Sequence, residues 1–477
     1  MSTRGTACSS DPAGGEERPG LARRPALLTV LVVAVLLAVL AGLLMPWSWV
    51  PGGQLVPRSA ASLFTPEQLD RAERYSWVRR GLGWASYAAS LALLVVLGLT
   101  RRGSRMLRRL PGPWWVAVPL GALVALLLER AVTLPFAIGA HRTDQVFGIS
   151  RQAWSGWSLD VVKGLAVSWV ATSLALLVLV ACSRRSPRWW FAWAGAAALA
   201  LSLAGSFLYP ILVEPLFNRF APMSSGPFKA SILRLADREG VQVEDVLVAD
   251  ASRRTTTLNA YVSGFGGTRR VVVYDNLLEE LTPAQARVVI AHELAHVKNR
   301  DVVTGTVLAG VGAVAGVALL ALLLDSSRLR RHTGTSGPAD PSAVFTVLAL
   351  VAVGSFVVSP VQNTVSRAFE ARADRVSLQA TGADATFVAL QRQLALTSLA
   401  DPSPPRLSQL WFGSHPTVLQ RAGLPEHPRD PAGDGGGGQQ HAKRIPVDLV
   451  GQPGVVRAVA RHGRGVDHDL VRRHPLA

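Results

Sequence analysis

Residues 282–324 read TPAQARVVIAHELAHVKNRDVVTGTVLAGVGAVAGVALLALLL, a polar helical segment followed directly by an apolar run. Residues 282–285 (TPAQ) form a capping box with proline at the first helical position, which predicts a helix that begins there and continues through Asp301. Residues 302–324 carry no charged side chain and are long enough to cross a hydrocarbon core of about 30 Å. This stretch predicts a motif-bearing helix held directly at a membrane surface.

The polar half of this stretch contains two histidines and a glutamate with metal-site spacing. His292 and His296 are four residues apart, so they lie one turn apart on the same helix face. Two imidazoles at this spacing can bind one zinc ion, with Glu293 placed to take a proton from water. Val, Ile and Leu residues beside the two histidines are apolar, so the imidazoles would be partly buried and would need partners. The pattern favours a metal site over two solvated histidines.

A catalytic zinc site needs a third protein ligand and an open position. Of the two cysteines, Cys8 lies in a polar leader and Cys182 at the end of an apolar run, so they cannot supply a thiolate site, which leaves His and carboxylate. Glu370 is the best candidate, and Asp374, one turn later, could accept the second N–H of a ligand histidine. The alternative is a solvated helix face with arginine–carboxylate pairs.

Apolar runs along the 477 residues, of which 49% are hydrophobic and 17% charged, predict a mainly α polytopic membrane protein. Although the first run resembles a secretory signal in position, its apolar core is too long for one. Pro360 is expected to end or kink the last run. The seven predicted spans are Leu27–Met45, about Ala85–Leu99, Trp114–Ile138, Val161–Val180, Trp189–Leu212, Val302–Leu324 and Ala343–Val358.

A soluble-type α+β segment is predicted between the fifth and sixth spans. It has an amphipathic helix at Pro227–Glu239 and strands at Val246–Val248, Asn259–Val262 and Val271–Tyr274. The expected divisions are a disordered leader (1–24), a five-span membrane region (25–213), a catalytic domain with the HExxH helix (214–301), a two-span hairpin (302–363), a second catalytic part with the third ligand (364–425) and a disordered tail (426–477).

The formal net charge of +17 comes almost entirely from arginine, which fits a GC-rich genome. Nucleic-acid binding would need basic residues grouped on a soluble face with aromatics between them. Here the arginines stand mostly in short loops beside apolar runs, where they set membrane orientation. The expected partners are therefore a lipid bilayer and a peptide or protein substrate, with no nucleic acid.

The chain resembles a known family from about residue 65 to 425. The segments that carry the resemblance are Leu134–Phe136, Phe147–Ser150, Asp160–Gly164, Glu214–Asn218, Asp250–Arg254, Asn259–Tyr261, Tyr274–Leu278, the His292 motif and Ser366–Asp374. Together they resemble the membrane gluzincins typified by the type I CAAX prenyl protease, which are related to the bacterial heat-shock protease HtpX.

This resemblance implies a fold of seven spans, with an α+β zinc metalloprotease domain inserted between spans five and six. It implies one Zn²⁺ per chain, with Glu370 as the third ligand and Asp374 in its supporting shell. It also implies that Asn259, Ala260 and Tyr261 form an edge strand that takes up extended substrate. His415 and Arg421 would stabilise the developing oxyanion, although on sequence alone a histidine before Pro416 is more often a turn residue.

These expectations describe an integral-membrane zinc metalloendopeptidase that acts by direct hydrolysis, with Glu293 as the base. The alternatives are a transporter or an idle scaffold with a structural zinc site. The resemblance suggests a prenylated carboxyl-terminal peptide as substrate. The GC-rich composition suggests a bacterium, where misfolded or processed membrane proteins are the better expectation.

Multi-pass insertion in the cell membrane is expected, with the side of the catalytic domain left open. The arginine-rich short loops follow spans two, four and six, on the side of the amino terminus. The positive-inside rule would place that side in the cytoplasm and the zinc domain outside. The resemblance implies the reverse orientation.

Overall fold

The computed structural model describes residues 20–50, 55–264 and 266–427. Within them, seven helices are long and apolar enough to cross a membrane, as judged by length and composition. The first part of the chain forms α1 (Arg23–Leu44), α2 (Pro66–Gly98), α3 (Arg101–Leu107), α4 (Trp114–Val146), α5 (Trp154–Arg185), α6 (Trp190–Leu212) and α7 (Glu214–Phe217). The predicted mainly helical, seven-span architecture is confirmed.

The inserted domain combines a small sheet with three helices. Its elements are β1 (Phe220–Pro222), α8 (Pro227–Arg238), β2 (Asp245–Ala249), β3 (Ala260–Ser263), β4 (Arg270–Tyr274), α9 (Asp275–Glu280) and α10 (Pro283–Lys298). The strand order is β1-β2-β4-β3, with β2 and β4 parallel and both outer strands antiparallel to their neighbours. The strand near Asn259 is therefore an edge strand, and β1 is a fourth strand that the sequence did not indicate.

The last described part of the chain consists of helices and the loops between them. It forms α11 (Asp301–Leu324), α12 (Ser327–Thr333), α13 (Val344–Thr381), α14 (Asp384–Ser398), α15 (Arg406–Phe412) and α16 (Val418–Gly423). Of the two outcomes expected at Pro360, an end or a kink, the helix does not end there, because α13 continues through Pro360 to Thr381. Proline removes one backbone hydrogen bond, and packing along the rest of α13 outweighs that loss. Glu370 and Asp374 therefore lie on the same helix as the last span.

The predicted continuation of the motif helix through Asp301 is also wrong. The helix begins at the expected capping box of Thr282 and Gln285 but ends at Lys298. The Asn299 side-chain amide donates a 2.8 Å hydrogen bond to Ala295 O, and Arg300 has a left-handed φ of 56°. A residue in the left-handed region does not continue a right-handed helix, so the helix ends before Arg300. A new helix, α11, starts at Asp301.

The predicted leader and tail extend slightly into ordered structure. Arg23 and Arg24 are the first residues of α1, and Arg23 pairs with Asp325 at the far end of α11. Glu426 lies in a short turn of helix, Leu424–Glu426. The rest of the disorder prediction, for 1–19 and 428–477, falls outside the described residues.

The helix ends that carry the arginine-rich loops come together. Arg101 donates to Arg331 O at 3.0 Å, and Arg184 donates to Ala339 O at 3.3 Å. The loops after spans two, four and six thus lie at one end of the bundle. Near this end α2 approaches α13 closely, because a Cβ on Gly98 would lie 2.3 Å from Phe345 O. A glycine is required at that contact.

The inserted domain has a hydrophobic core that it shares with α13 and α14. Ile232 of α8, Val246 of β2, Val271 of β4 and Leu294 of α10 are all fully buried in it. Apolar burial of Leu294 and its neighbours on α10 thus anchors this helix, each large side chain contributing about 1.5–3 kcal/mol. This anchoring fixes the rotation of α10 and with it the direction of the histidine side chains.

Candidate metal centre

Three predicted ligand side chains meet where α10 packs against α13. The Nε2 atoms of His292 and His296 are 3.2 Å apart. Glu370 Oε2 lies 3.2 Å from His292 Nε2, and Glu370 Oε1 lies 3.6 Å from His296 Nε2. Among the described residues, this is the group of His, Cys, Asp or Glu side chains whose donor atoms converge as a metal site requires.

The spacing of these atoms fits a zinc ion. Ligands about 2.0–2.1 Å from a tetrahedral zinc are separated from one another by roughly 3.3 Å. The three observed separations of 3.2, 3.2 and 3.6 Å bracket that value. Moreover, Glu370 Oε2 is buried and makes no hydrogen bond within the described part of the chain. A buried carboxylate oxygen without a donor is costly unless a cation faces it, so the donor set matches the metal.

The first histidine is backed by a buried carboxylate and an arginine. His292 Nδ1 lies 2.9 Å from Oδ1 of Asp374, the residue expected to support a ligand histidine. Asp374 is fully buried and accepts hydrogen bonds from Arg421 Nε and Nη2, at 2.7 and 2.6 Å. A proton on Nδ1 would leave Nε2 free to bind a metal. Removing one partner of such a buried pair costs about 3–5 kcal/mol.

The second histidine has a matching pair that sequence reasoning missed. His296 Nδ1 hydrogen bonds to Asp301 Oδ2 at 2.8 Å, and Arg372 of α13 pairs with the other oxygen of Asp301. Asp301 is 5% exposed. An acidic residue five positions after His296 was a usable signal, but on the uninterrupted helix that the sequence predicted it would lie about 140° around the axis from His296.

The Asp301→Asn variant is expected to bind zinc about 10–100-fold more weakly than the parent chain. The amide cannot accept from both His296 and Arg372 as the carboxylate does, so His296 loses its fixed tautomer and orientation. Zinc affinity measured by competition with a chromophoric chelator tests this. Asp325→Asn is the matched control, because Asp325 caps the other end of the same helix and pairs there with Arg23 and Arg330. Equal zinc affinity in the two variants would contradict the assignment.

Glu293 projects from α10 beside the histidines and lines the same cleft. Burial is the main reason that the pKa of Glu293 is raised above its ordinary value, and the charges of His292 and His296 oppose the shift. A carboxylate with a raised pKa is a stronger base. The position is therefore suited to proton transfer.

His415 reaches the site from the loop after α15. Its Nε2 lies 3.4 Å from Glu370 Oε2, and Ser414 Oγ lies 2.9 Å from its Nδ1. Gln409 Nε2 donates to His415 O at 2.7 Å, and Arg367 of α13 donates to Gly413 O at 2.6 Å. These contacts attach the loop to α13 and hold the imidazole over the metal centre.

Arg421 takes a different position from the one expected of an oxyanion donor. Two of its nitrogens are engaged by Asp374, and it does not line the cleft that His415 lines. The geometry favours a positioning role for Arg421, exerted through Asp374 on His292. This role was missed because nothing local in the sequence relates residue 421 to residue 374.

The candidate metal centre opens into a cleft of about 590 Å³. Asn259, Ala260 and Tyr261, the predicted substrate-binding residues, line one wall of it. Tyr261 donates a 3.0 Å hydrogen bond to Glu214 Oε2, which connects the edge strand to α7. Burial, reinforced by the charge of Glu214, raises the pKa of Tyr261, so its phenol remains a donor. The cleft thus combines a candidate metal site with an open strand edge.

The seven spans, the inserted α+β domain and this donor set define a multi-pass membrane metallopeptidase. Residues 223–423 match the model of peptidase family M48, and residues 52–219 match that of the CAAX prenyl protease N-terminal region, described as five membrane helices. An uncharacterised metalloprotease of Bacillus subtilis, YhfN, is 30% identical over 412 residues, covering 82% of this chain and 95% of the relative. The chain therefore belongs to peptidase family M48.

Eukaryotic relatives and a solved structure agree with this placement. The CAAX prenyl protease 1 homolog of Dictyostelium discoideum is 27% identical over 291 residues, covering 58% of this chain and 66% of the relative. The crystal structure of S. mikatae Ste24p superposes with a TM-score of 0.68 at 20% identity, covering 84% of this chain and 98% of that one. This structure supports the fold, and the protein is a type I CAAX protease-like membrane metallopeptidase.

Proposed function

We propose that this protein is a zinc-dependent endopeptidase that hydrolyses peptide bonds of membrane-associated or lipid-modified proteins. The observation that carries the proposal is the convergence of His292, His296 and Glu370 at 3.2–3.6 Å in a cleft that also exposes a strand edge. A structural zinc site would be closed by a fourth protein ligand, whereas a catalytic one keeps a position open.

The side chains around the cleft divide the work of hydrolysis. Bound zinc would polarise the scissile carbonyl and lower the pKa of the attacking water. Glu293 takes the proton from that water and later delivers it to the leaving nitrogen, without a covalent intermediate. His415 is placed to donate to the oxyanion, an interaction worth roughly 3–4 kcal/mol when it is well aimed. Asp374 and Asp301 hold the two imidazoles in position.

Strand β3 supports binding of an extended peptide. Asn259 O accepts from Tyr274 N at 3.0 Å, and Ala260 pairs with Val273 in the ladder. Hydrogen-bonded and non-bonded pairs alternate in an antiparallel ladder, so the N–H and C=O of Ala260 point away from β4. They face the free edge, where a substrate strand would add.

Ala260→Pro is expected to raise KM with little change in zinc content. It removes a backbone N–H that β4 does not use, and proline is tolerated on an edge strand when that N–H faces outward. The loss of one hydrogen bond, about 0.5–1.5 kcal/mol, corresponds to roughly a 2–10-fold rise in KM. Steady-state kinetics on a quenched-fluorescent peptide, with metal analysis of the same sample, measures both quantities. An unchanged KM would argue against strand addition at this edge.

The proposed function is tested on the purified full chain in detergent. Cleavage of a mixture of quenched-fluorescent peptides should be abolished by a chelator and restored by zinc. If the protein were a transporter or scaffold with a structural zinc, it would retain zinc, and its cleavage rate would equal that of the Glu293→Gln variant. That variant should capture substrates in native membranes. Mass spectrometry of the captured proteins would show whether they carry a lipid.

A further inference from the structure

Exposed arginines collect at the end of the helix bundle where α1 begins. This end also holds α3, the end of α5 and α12. Ala22 N donates to Arg188 O at 3.1 Å, and Arg101 donates to Arg331 O at 3.0 Å, so these segments touch one another. The arginine surface consists of the eight exposed side chains Arg24, Arg102, Arg105, Arg109, Arg185, Arg188, Arg328 and Arg331.

The arginine surface is not neutralised by the part of the chain that the structure describes. Within that part, none of the eight guanidinium groups makes an ion pair or a hydrogen bond. The acidic residues nearby are already engaged. Asp325 pairs with Arg23 and Arg330, and Asp340 accepts three hydrogen bonds from its own loop. Like charges held this close repel one another, so the surface favours an anionic partner from outside the chain.

Arginines at the other end of α2 are paired instead. Arg79 lies 2.9 Å from Asp144 at the end of α4, and Arg80 pairs with Asp401 in the loop after α14. These carboxylates cancel much of the positive charge at the end of the bundle that carries the inserted domain. The two ends of the bundle therefore differ in unpaired positive charge as well as in the number of arginines.

Tryptophan side chains show that the arginine surface lies at headgroup depth. Trp115 of α4 and Trp189, the residue before α6, are both exposed at the starts of spans, where interfacial aromatics concentrate. The guanidinium of Arg184 lies 5.5 Å from the centre of the Trp114 ring. The arginines thus adjoin the aromatic layer on its outer side, within reach of lipid phosphates.

The candidate metal centre lies beyond the opposite membrane surface. Arg184 donates to Ala339 O at 3.3 Å, so α13 begins close to the arginine surface, at Val344. Glu370 lies roughly 40 Å further along the same helix, at about 1.5 Å per residue. The hydrocarbon core is about 30 Å thick. The arginine surface and the metal centre therefore face opposite sides of the membrane.

We propose that the arginine surface contacts the anionic cytoplasmic leaflet of the membrane, so that the candidate metal centre faces away from the cytoplasm. Lipid phosphate oxygens are strong acceptors for guanidinium groups, and they supply partners that the described chain does not. A membrane potential that is negative inside also opposes the outward transfer of unpaired positive charge. Both effects favour the same orientation.

The reverse orientation, which the family resemblance implies, would place eight unpaired guanidinium groups on the less favourable side. The orientation itself does not depend on peptidase activity. Its consequence for substrates rests on the proposed function, and the two together would restrict cleavage to polypeptide segments outside the cytoplasm.

Labelling of single cysteines in intact bacterial spheroplasts tests the orientation. Cys8→Ser and Cys182→Ala first remove the native thiols. Ser327→Cys then reports on the end with the arginine surface and Ser225→Cys on the inserted domain, because both serines are exposed. A maleimide that does not cross membranes should label Ser225→Cys in intact spheroplasts. It should label Ser327→Cys only after the membrane is permeabilised.

Two matched variants test whether the positive charge is responsible. In one, all eight arginines of the arginine surface are replaced by glutamine, and in the other all eight are replaced by lysine. Glutamine should lower the ratio of labelling at Ser225→Cys to labelling at Ser327→Cys by roughly tenfold or more, whereas lysine, which keeps the charge, should not. Resistance to alkaline extraction shows that each variant has inserted in the membrane.

Each outcome decides the proposal. Protection of Ser327→Cys in the parent background, lost with glutamine and kept with lysine, would support it. Labelling of Ser327→Cys and protection of Ser225→Cys would overturn it, as would equal labelling of the two sites. An unchanged ratio in the glutamine variant would show that the arginine surface does not set the orientation. None of these readouts requires cleavage, so failure of the proposed function would be seen separately.

Discussion

Replacing Glu293 with glutamine is expected to lower kcat by about 10²–10⁴ while the chain keeps its zinc and its fold. Glutamine preserves the size of the side chain but cannot accept a proton from water. Glu293 lines the cleft without belonging to the group of converging donor atoms, so metal binding should not depend on it. Peptide cleavage kinetics and zinc analysis on the same preparation measure the two quantities separately.

The control for this experiment is Glu279→Gln. Glu279 is an exposed residue of α9, outside the cleft, and carries the same chemical change. Its activity should equal that of the parent chain. If the Glu293→Gln enzyme were equally active, general-base catalysis by this residue would be ruled out, whatever the metal content.

Replacing Glu370 with alanine should abolish stable zinc binding. The change removes the charged member of the donor set and leaves two neutral imidazoles with one anionic support each. Loss of an outer partner typically costs 10–100-fold in metal affinity, so the loss of a direct ligand should exceed about 100-fold. Zinc measured after gel filtration, and affinity measured by chelator competition, test this expectation.

Two features make the Glu370 experiment specific. Glu280 is an exposed acidic residue of α9, so the Glu280→Ala variant should bind zinc as the parent chain does. Zinc binding stabilises the folded state by mass action, so the parent chain should lose thermal stability when a chelator is added and Glu370→Ala should not respond. Full zinc occupancy in Glu370→Ala would refute the ligand assignment and weaken the hydrolase proposal with it.

The two histidines are supported in the same way. Each imidazole contacts a buried aspartate, and that aspartate pairs with an arginine. For His292 the pair is Asp374 and Arg421, and for His296 it is Asp301 and Arg372. A buried carboxylate without its arginine would tend to take a proton and lose its hold on the imidazole. The arginines therefore preserve the anionic state of the supports. Because Arg372 lies on α13 and Arg421 on α16, the two histidines of α10 are supported by three helices.

Sequence by itself determined the features that depend on local pattern. The apolar runs predict the spans, because any segment of that length and composition prefers the bilayer. The capping box and the four-residue spacing place His292 and His296 on one face of a helix, because helical geometry is local. The presence and approximate position of the inserted domain follow from the same kind of pattern.

Only the tertiary structure decided which distant residues complete the centre. Asp301 and Arg372 are 71 residues apart, and Arg421 and Asp374 are 47 apart, yet each pair meets behind a histidine. Whether β3 lies at an edge, and whether α13 continues past Pro360, likewise depends on what packs beside them. These outcomes are set by long-range packing, in which the burial of one element constrains another, and no local pattern of residues encodes them.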